Sequence, residues 1–274
     1  MCSMERKPFS NRYVFAKVMG DRPDLCKAVV ERILGFEVGR IERIEIESEE
    51  TSITRRGVRF DVFMAGDDAT FEVEMQTYDQ QDLPLRMRYY RSQIDRRSLL
   101  KGGRFAGLKP VYVIFICLDD RFGHGLPVYT FESRCLEDDT VQFDNGVHDV
   151  VLNASGDLSR TNKGIADLLT YVKENRVAED DELTYELAEA VDDAYLDEEW
   201  VEKMSMLDWD IEDAYARGCR ETRAEALEEG RAEGEVGTVF KFVKDGLVSL
   251  SDAATSLGMS EDELLGKAKE LGLA

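Results

Sequence analysis

A short segment of the chain carries three polar side chains at the spacing of a β-strand. Residues 71–76 read FEVEMQ, so polar and apolar side chains alternate. Because successive side chains of a strand point to opposite faces of a sheet, Glu72, Glu74 and Gln76 are expected to share one face. Carboxylate oxygens are the ligands that Mg²⁺ prefers. The same pattern is far more often only the solvent-exposed face of a half-buried strand, so the pattern alone favours that simpler reading.

The preceding strand adds a further acid. Residues 58–63 read VRFDVF, and the Gly-Asp-Asp sequence at 66–68 predicts a tight turn into the next strand. Asp61 is expected on the face opposite the apolar side chains of its strand, and a hairpin register then brings it beside Glu74. The two strands together offer a pair of carboxylates for one divalent cation. The side chains expected on the core face are Phe60, Val62 and Met64.

The elements that position these strands follow from apolar periodicity and from Pro and Gly at their ends. An amphipathic helix is predicted between Pro23 and Gly35, and isoleucines at 41–46 indicate the first strand. A second helix is predicted over 84–100. The run VYVIFICL at 111–118 is apolar on both faces and has the composition of a central buried strand. The predicted order is αβββαβ. One side of the second helix is apolar: Met87, Tyr90 and Ile94.

The rest of the chain gives weaker signals. Short strands are predicted around 128–131, followed by a hairpin with Asn145-Gly146 at its turn. A further helix is predicted over 164–173. These elements are expected to extend the same α/β domain.

Three regions are predicted along the chain. Residues 1–178 are expected to form the main domain, and 179–237 an acidic helical region with an Arg/Glu/Gly-rich linker. Residues 238–274 indicate a small helical pair, with Ser251 and Ser260 near the two helix starts. A homodimer through this C-terminal region is one possible assembly.

Cysteine usage and hydropathy bear on where the protein works. The five cysteines are scattered and never spaced CxxC, so neither a disulfide framework nor a zinc site of cysteine ligands is expected. The longest apolar run, 111–118, is too short to cross a bilayer, and the start MCSMERKPFSNR has no signal-peptide pattern. We expect a cytoplasmic protein with no membrane contact. The cysteines are Cys2, Cys26, Cys117, Cys135 and Cys219.

The charges of the chain are segregated. The formal net charge is −22, which by itself disfavours binding to nucleic acid. Residues 85–109, however, hold eight basic residues against one acid, Asp95, a local charge of +7. Such an island on one helix either meets phosphate or pairs with acids from elsewhere in the chain, and the sequence leaves both interpretations open.

Four separated segments together resemble a known family. They read RFDVF, FEVEMQ, RMRYYRSQID and KGGRFAGLKPVYVIFIC. In this order and spacing they are similar to the PD-(D/E)XK nuclease family transposases, also called recombination-promoting nucleases. The resemblance covers about residues 13–153 and implies a restriction-endonuclease-like α/β core with a mostly helical C-terminal region. It also implies an endonuclease that hydrolyses phosphodiester bonds of DNA, with Mg²⁺ as cofactor and Mn²⁺ or Ca²⁺ as alternatives.

Carried over to this sequence, the resemblance implies a set of site residues. Asp61 and Glu74 would be metal ligands, and Glu72 an outer ligand. Gln76 stands where the wider superfamily has Lys; an amide donates and accepts hydrogen bonds but brings no charge. Glu31 of the first predicted helix is a weaker candidate acid. The helix over 84–100 would lay arginines along the DNA backbone: Arg86, Arg88, Arg91 and Arg97.

Two other functions remain open from the sequence. A DNA-binding or regulatory protein of the same fold, catalytically weak or inactive, is favoured by Gln76 and by the net charge of −22. An interaction protein that self-assembles through residues 179–274 is compatible with nuclease activity. Intact Asp61 and Glu74 favour the enzyme.

Overall fold

The protein is described by a computed structural model. It describes residues 6–52, 55–77, 82–99, 102–206 and 236–273. The predicted Arg/Glu/Gly-rich linker, up to residue 235, lies outside the described residues. The main domain is built on one mixed sheet flanked by helices, which confirms the predicted α/β class.

Two helices precede the sheet, where one was predicted. Helix α1 spans Arg12–Asp21 and begins at Asn11, whose side chain accepts the Tyr13 backbone N–H at 3.0 Å. Helix α2 spans Pro23–Leu34 and ends at Gly35 in a left-handed conformation, as the Pro and Gly predict.

In the part of the chain that the structure describes, six strands form the sheet: β1 Ile41–Ser52, β2 Arg55–Gly66, β3 Thr70–Gln76, β4 Val111–Cys117, β5 Val128–Phe131 and β6 Val147–Asn153. Their order across the sheet is β1-β2-β3-β4-β6-β5. The first three strands form an antiparallel meander, and β4 and β6 continue the sheet parallel to β3. Edge strand β5 runs antiparallel to β6. The three predicted N-terminal strands and the central buried strand are confirmed.

Helix α3, Leu83–Ser98, is the crossover that joins parallel strands β3 and β4. Its predicted apolar side is confirmed, because Met87, Tyr90 and Ile94 are buried against the sheet in one cluster with residues of β2 and β4. The placement of α3 over one face of the sheet decides the surroundings of the polar residues on β3.

The predicted hairpin at Asn145-Gly146 is wrong. Gly146 does adopt a positive φ of 65°, so a turn is present, but it leads from an irregular stretch into β6. The strand that pairs with β6 is β5, and residues 132–146 connect the two. The helix predicted next is confirmed as α4, Lys163–Glu174.

The chain divides into two compact units, Met1–Glu202 and Lys203–Ala274. Helix α5, Glu182–Ala194, packs on α1 and α2 and thus belongs to the first unit. A further helical segment, α6, covers 198–206. These contacts place the division near 202, beyond the predicted domain end at 178.

The second unit has a small apolar core of its own. Its described helices are α7 over 236–244, α8 at Leu250–Ser256 and α9 at Glu261–Glu270. Helix α8 begins at Ser249 instead of near Ser251, since the Ser249 hydroxyl accepts the Asp252 N–H. Ser260 begins α9 with a reciprocal capping box, as predicted. No helix within the described ranges is long and apolar enough to cross a membrane.

Truncation after Asp213, which itself lies outside the described residues, should leave a folded first unit. The reason is that the core of α1, α2, α4, α5 and the sheet lies wholly before residue 203. Thermal unfolding of the truncated chain is expected to stay cooperative. Loss of the cooperative transition, or insolubility, would show that the C-terminal unit is needed for folding.

Candidate active site

The two candidate metal ligands meet where β2 and β3 separate. The regular pairing of these strands extends to Val62 opposite Val73. Beyond it, the Asp61 backbone N–H donates to Glu74 Oε1 at 2.9 Å, and the Met75 N–H donates to Asp61 Oδ2 at 3.2 Å. Each carboxylate thus replaces a backbone acceptor of the neighbouring strand. This exchange holds the two carboxylates side by side.

The polar face of β3 is buried. Asp61, Glu74 and Gln76 are each 4% exposed and Glu72 is fully buried. Helix α3 covers this face, so the solvent-exposed strand face that the pattern alone favours is wrong for this protein. Burial of four polar side chains in one place needs a partner for each of them.

Phe60 also lies differently from the sequence-based expectation. It packs edge-to-face on Tyr90 of α3, with ring centroids 5.4 Å apart, and joins Phe63 in the buried cluster under that helix. Met64, by contrast, contacts Cys26 of α2. Phe60 and Met64 therefore do not share one core face, and the apolar floor of the site under α3 includes Phe60.

Glu72 is the least compensated group of the site. Among the described residues, neither of its carboxyl oxygens receives a hydrogen bond from a donor. Burial raises the pKa of Glu72 well above the ordinary value, and the neighbouring Glu74 raises it further. Burial also raises the pKa of Glu74, followed by the charge of Asp61. If Glu72 is protonated, its own O–H is the donor of a hydrogen bond to the Glu74 carboxylate. Glu72 then needs no donor from another residue.

Two arginines lie beside the acids, one from helix α1 and one from helix α3. Arg12, the first residue of α1, donates to Asp61 Oδ1 at 3.2 Å. Arg86 of α3 donates to Gln76 Oε1 at 2.7 Å, and its other terminal nitrogen lies 3.8 Å from Glu74 Oε2. Arg12 was missed from the sequence because α1 was not predicted; the available signal was Asn11 as a helix start before an apolar periodic segment.

The donor set fits a hard divalent cation. Asp61 and Glu74 offer oxygen ligands only, and Mg²⁺ binds through one or two carboxylates completed by water and substrate phosphate. Within the described ranges no cluster of three or more Asp, Glu, His or Cys side chains is arranged to hold a metal. A pair of carboxylates is therefore the set to consider, with Glu72 buried behind it.

The arginines of α3 have different surroundings. Arg91 pairs with Asp149 at 3.0 Å. The Arg97 guanidinium pairs with the Glu45 carboxylate, and its Cζ lies 4.7 Å from the ring centroid of Phe63. Arg88 is exposed. Part of the basic island thus pairs with acids of the sheet, so contact of DNA with Arg91 and Arg97 stays a prediction.

Glu31, the weaker candidate, has a structural position at the end of α2. Its carboxylate accepts the backbone N–H of Val38 at 2.8 Å and lies 3.7 Å from Lys27. These contacts fix the connection from α2 toward β1.

Charge removal at Arg88 and at Arg91 should have separable effects. Arg88→Gln should weaken DNA binding and reduce the slope of log Kd against log salt by about one, because it removes one exposed cation. Arg91→Gln should lower the melting temperature, because the Asp149 carboxylate is partly buried and Arg91 is its ion-pair partner. Salt titrations of duplex binding and thermal melting measure the two effects. An unchanged salt slope for Arg88→Gln would remove this residue from the interface.

Comparison with known proteins identifies the region that contains the site. The family model described as PD-(D/E)XK nuclease family transposase matches residues 9–142, which include α1, α2, β1 to β5 and α3. The comparisons with curated proteins and with solved structures found no match. The α/β fold is consistent with that of the family. Over residues 9–142, the chain is therefore similar to the PD-(D/E)XK nuclease family transposases.

Proposed function

We propose that the chain is a divalent-metal-dependent endonuclease that hydrolyses phosphodiester bonds of DNA. Asp61 and Glu74 would hold the metal, with Mg²⁺ as the first candidate and Mn²⁺ or Ca²⁺ as alternatives. The observation that carries the proposal is the exchange of hydrogen bonds by which each of these carboxylates reaches across to the other strand. The match of residues 9–142 to this family model supports the reaction class.

The side chains of the site have separate roles in this proposal. A bound divalent cation supplies Lewis-acid polarisation of the scissile phosphate and lowers the pKa of a bound water. Asp61 and Glu74 orient one another through their backbone contacts. The carboxylate oxygens of both residues would coordinate the cation. The amide of Gln76 positions water at the end of β3. Glu72 sits behind Glu74 and can hold the proton that the metal-free site requires.

The partner and location follow the same family argument. The substrate class is DNA, reached through Arg88 and the other exposed cations of α3. A cytoplasmic location, a role in DNA recombination and transposition remain predictions. The described residues add no support for a homodimer through the C-terminal unit.

A catalytically weak or inactive DNA-binding protein is the alternative, and one feature favours it. Arg12 already compensates the charge of Asp61, and the neutral Gln76 adds no cation to the strand end. In such a protein the acids would serve the fold alone. Metal would then neither stabilise the protein nor change its effect on DNA.

Cleavage of supercoiled and linear DNA tests the proposal directly. The full chain is incubated with each substrate in Mg²⁺, Mn²⁺, Ca²⁺ or EDTA, and melting is recorded under the same conditions. Nicking or linearisation in Mg²⁺ or Mn²⁺ and none in EDTA is expected, together with a metal-dependent rise in melting temperature. Binding of DNA without cleavage in any metal would favour the inactive alternative.

A further inference from the structure

The cation nearest the end of β3 comes from helix α3 instead of from the strand. The guanidinium of Arg86 donates to Gln76 Oε1 at 2.7 Å, and its second terminal nitrogen lies 3.4 Å from the Tyr90 hydroxyl. Its Cζ lies 5.3 Å from the ring centroid of Phe115 and 5.7 Å from that of Tyr90. The two rings and the amide therefore hold the guanidinium in one position.

The charge of Arg86 is available to an incoming anion. Its closest partner, Gln76, is neutral, and its distance to Glu74 Oε2 is a loose 3.8 Å. The side chain is 22% exposed, whereas that of Glu74 is 5% exposed, so solvent and substrate reach the arginine first. Arg12 differs, because its contact at the site is the charged carboxylate of Asp61.

The amide of Gln76 has a defined orientation as a result. An arginine has donors only, so the atom of Gln76 that it contacts is the oxygen. The amide nitrogen then faces away from Arg86. Gln76 thus acts as a holder for the guanidinium beside the acids, and the pair Gln76–Arg86 supplies both a fixed amide and a positive charge.

We propose that Arg86 is the phosphate-contacting cation of the active site, and that it supplies from α3 the positive charge that Gln76 cannot supply from β3. This inference rests on the proposed nuclease function. Developing negative charge on the scissile phosphate would be stabilised by a guanidinium that is fixed before substrate arrives, a form of electrostatic preorganisation. In this proposal Arg86 contacts the scissile phosphate, whereas the exposed cations of α3 only attract the DNA backbone.

Relocation of the charge tests the proposal. Arg86→Gln should lower kcat by on the order of 10²-fold, the effect of removing one preorganised group. Gln76→Lys in the wild-type background should not raise kcat, since lysine and Arg86 are both donors and both charged. The double variant Arg86→Gln with Gln76→Lys should regain at least about tenfold of the lost kcat, because the charge returns at the strand. Arg176→Gln, which removes an equal charge from a side chain that is 69% exposed and lies outside α3, should leave kcat unchanged.

A second measurement separates this inference from the proposed function. Binding of a short DNA duplex is measured in Ca²⁺ for the same variants. Arg86→Gln should weaken binding more than Arg176→Gln, and the double variant should recover binding. If the wild type cleaves DNA but Arg86→Gln cleaves equally fast, or if Gln76→Lys gives no recovery, the inference is wrong and the nuclease stands. If the wild type never cleaves, the nuclease proposal is wrong, and the duplex binding decides on Arg86. A wild type that neither cleaves nor binds overturns both.

Discussion

Asp61→Asn is expected to abolish DNA cleavage while the protein stays folded. The Asn oxygen can still accept the Met75 N–H that Asp61 Oδ2 accepts at 3.2 Å, so the strand contact survives. The negative charge that would hold the metal is lost, and turnover should fall by on the order of 10³-fold. Glu74→Gln should behave alike, since its oxygen can still accept the Asp61 N–H. Plasmid cleavage and Mg²⁺-dependent melting measure the effect.

Alanine at the same positions is the informative contrast. Asp61→Ala leaves the buried Met75 N–H without its acceptor, at a cost of about 1 to 3 kcal/mol of stability. Alanine variants should therefore lose both activity and stability, and the amide variants activity alone. Cleavage at the wild-type rate by Asp61→Asn and by Glu74→Gln would show that these carboxylates serve only the fold. A metal-dependent melting shift that persists in both would also contradict their role as ligands.

Local sequence signals predicted the elements with clear ends. Helix α2 lies between Pro23 and Gly35, and β4 is an unbroken apolar run; in each case a few neighbouring residues decide the conformation. Helix α1 was missed because its end has no clear signal of its own. Gly20, Asp21 and Arg22 lead directly into Pro23, the start of the next helix. The turn at Gly146 was recognised, but its strand partner was not, because pairing with β5 across residues 132–146 depends on the whole sheet.

The candidate site was predictable as a pair of acids and not as a network. Alternation along β3 and the predicted hairpin with β2 are sufficient to place Asp61 near Glu74. Burial of that face depends on how α3 crosses the sheet, which no short segment encodes. For the same reason, the contacts of Arg86 with Gln76 and of Arg12 with Asp61 appear only in the structure. Both join a residue in the first turn of a helix to a side chain of β2 or β3.

Burial of Glu72 predicts an unusual pH dependence of the metal-free protein. The pKa of Glu72 is raised in the folded state by burial and then by Glu74. The contribution of such a carboxyl to the free energy of unfolding is fully present below its ordinary pKa of 4.5. It is lost as the pH rises through the pKa that the group has in the folded protein. The pKa of Glu74 is raised too, so both groups act in the same direction. The free energy of unfolding should therefore fall from about pH 5 to about pH 8, because this range lies above the ordinary pKa of 4.5.

Glu72→Gln should remove most of this dependence and stabilise the metal-free protein at pH 8. Gln is neutral at every pH, fits the same space and can donate a hydrogen bond to Glu74. The free energy of unfolding therefore no longer falls with rising pH by the roughly 1.4 kcal/mol that each unit of pKa shift at Glu72 costs in the wild type. Mg²⁺ should act like the substitution in the wild type, because a cation favours the ionised acids. Denaturant unfolding from pH 5 to pH 8, in EDTA and in Mg²⁺, measures the slopes. Glu189→Gln on the exposed surface of α5 is the matched control and should keep the wild-type slope. Equal slopes for wild type and Glu72→Gln in EDTA would mean that Glu72 is charged and compensated in the folded protein, and that the metal-free site needs no proton.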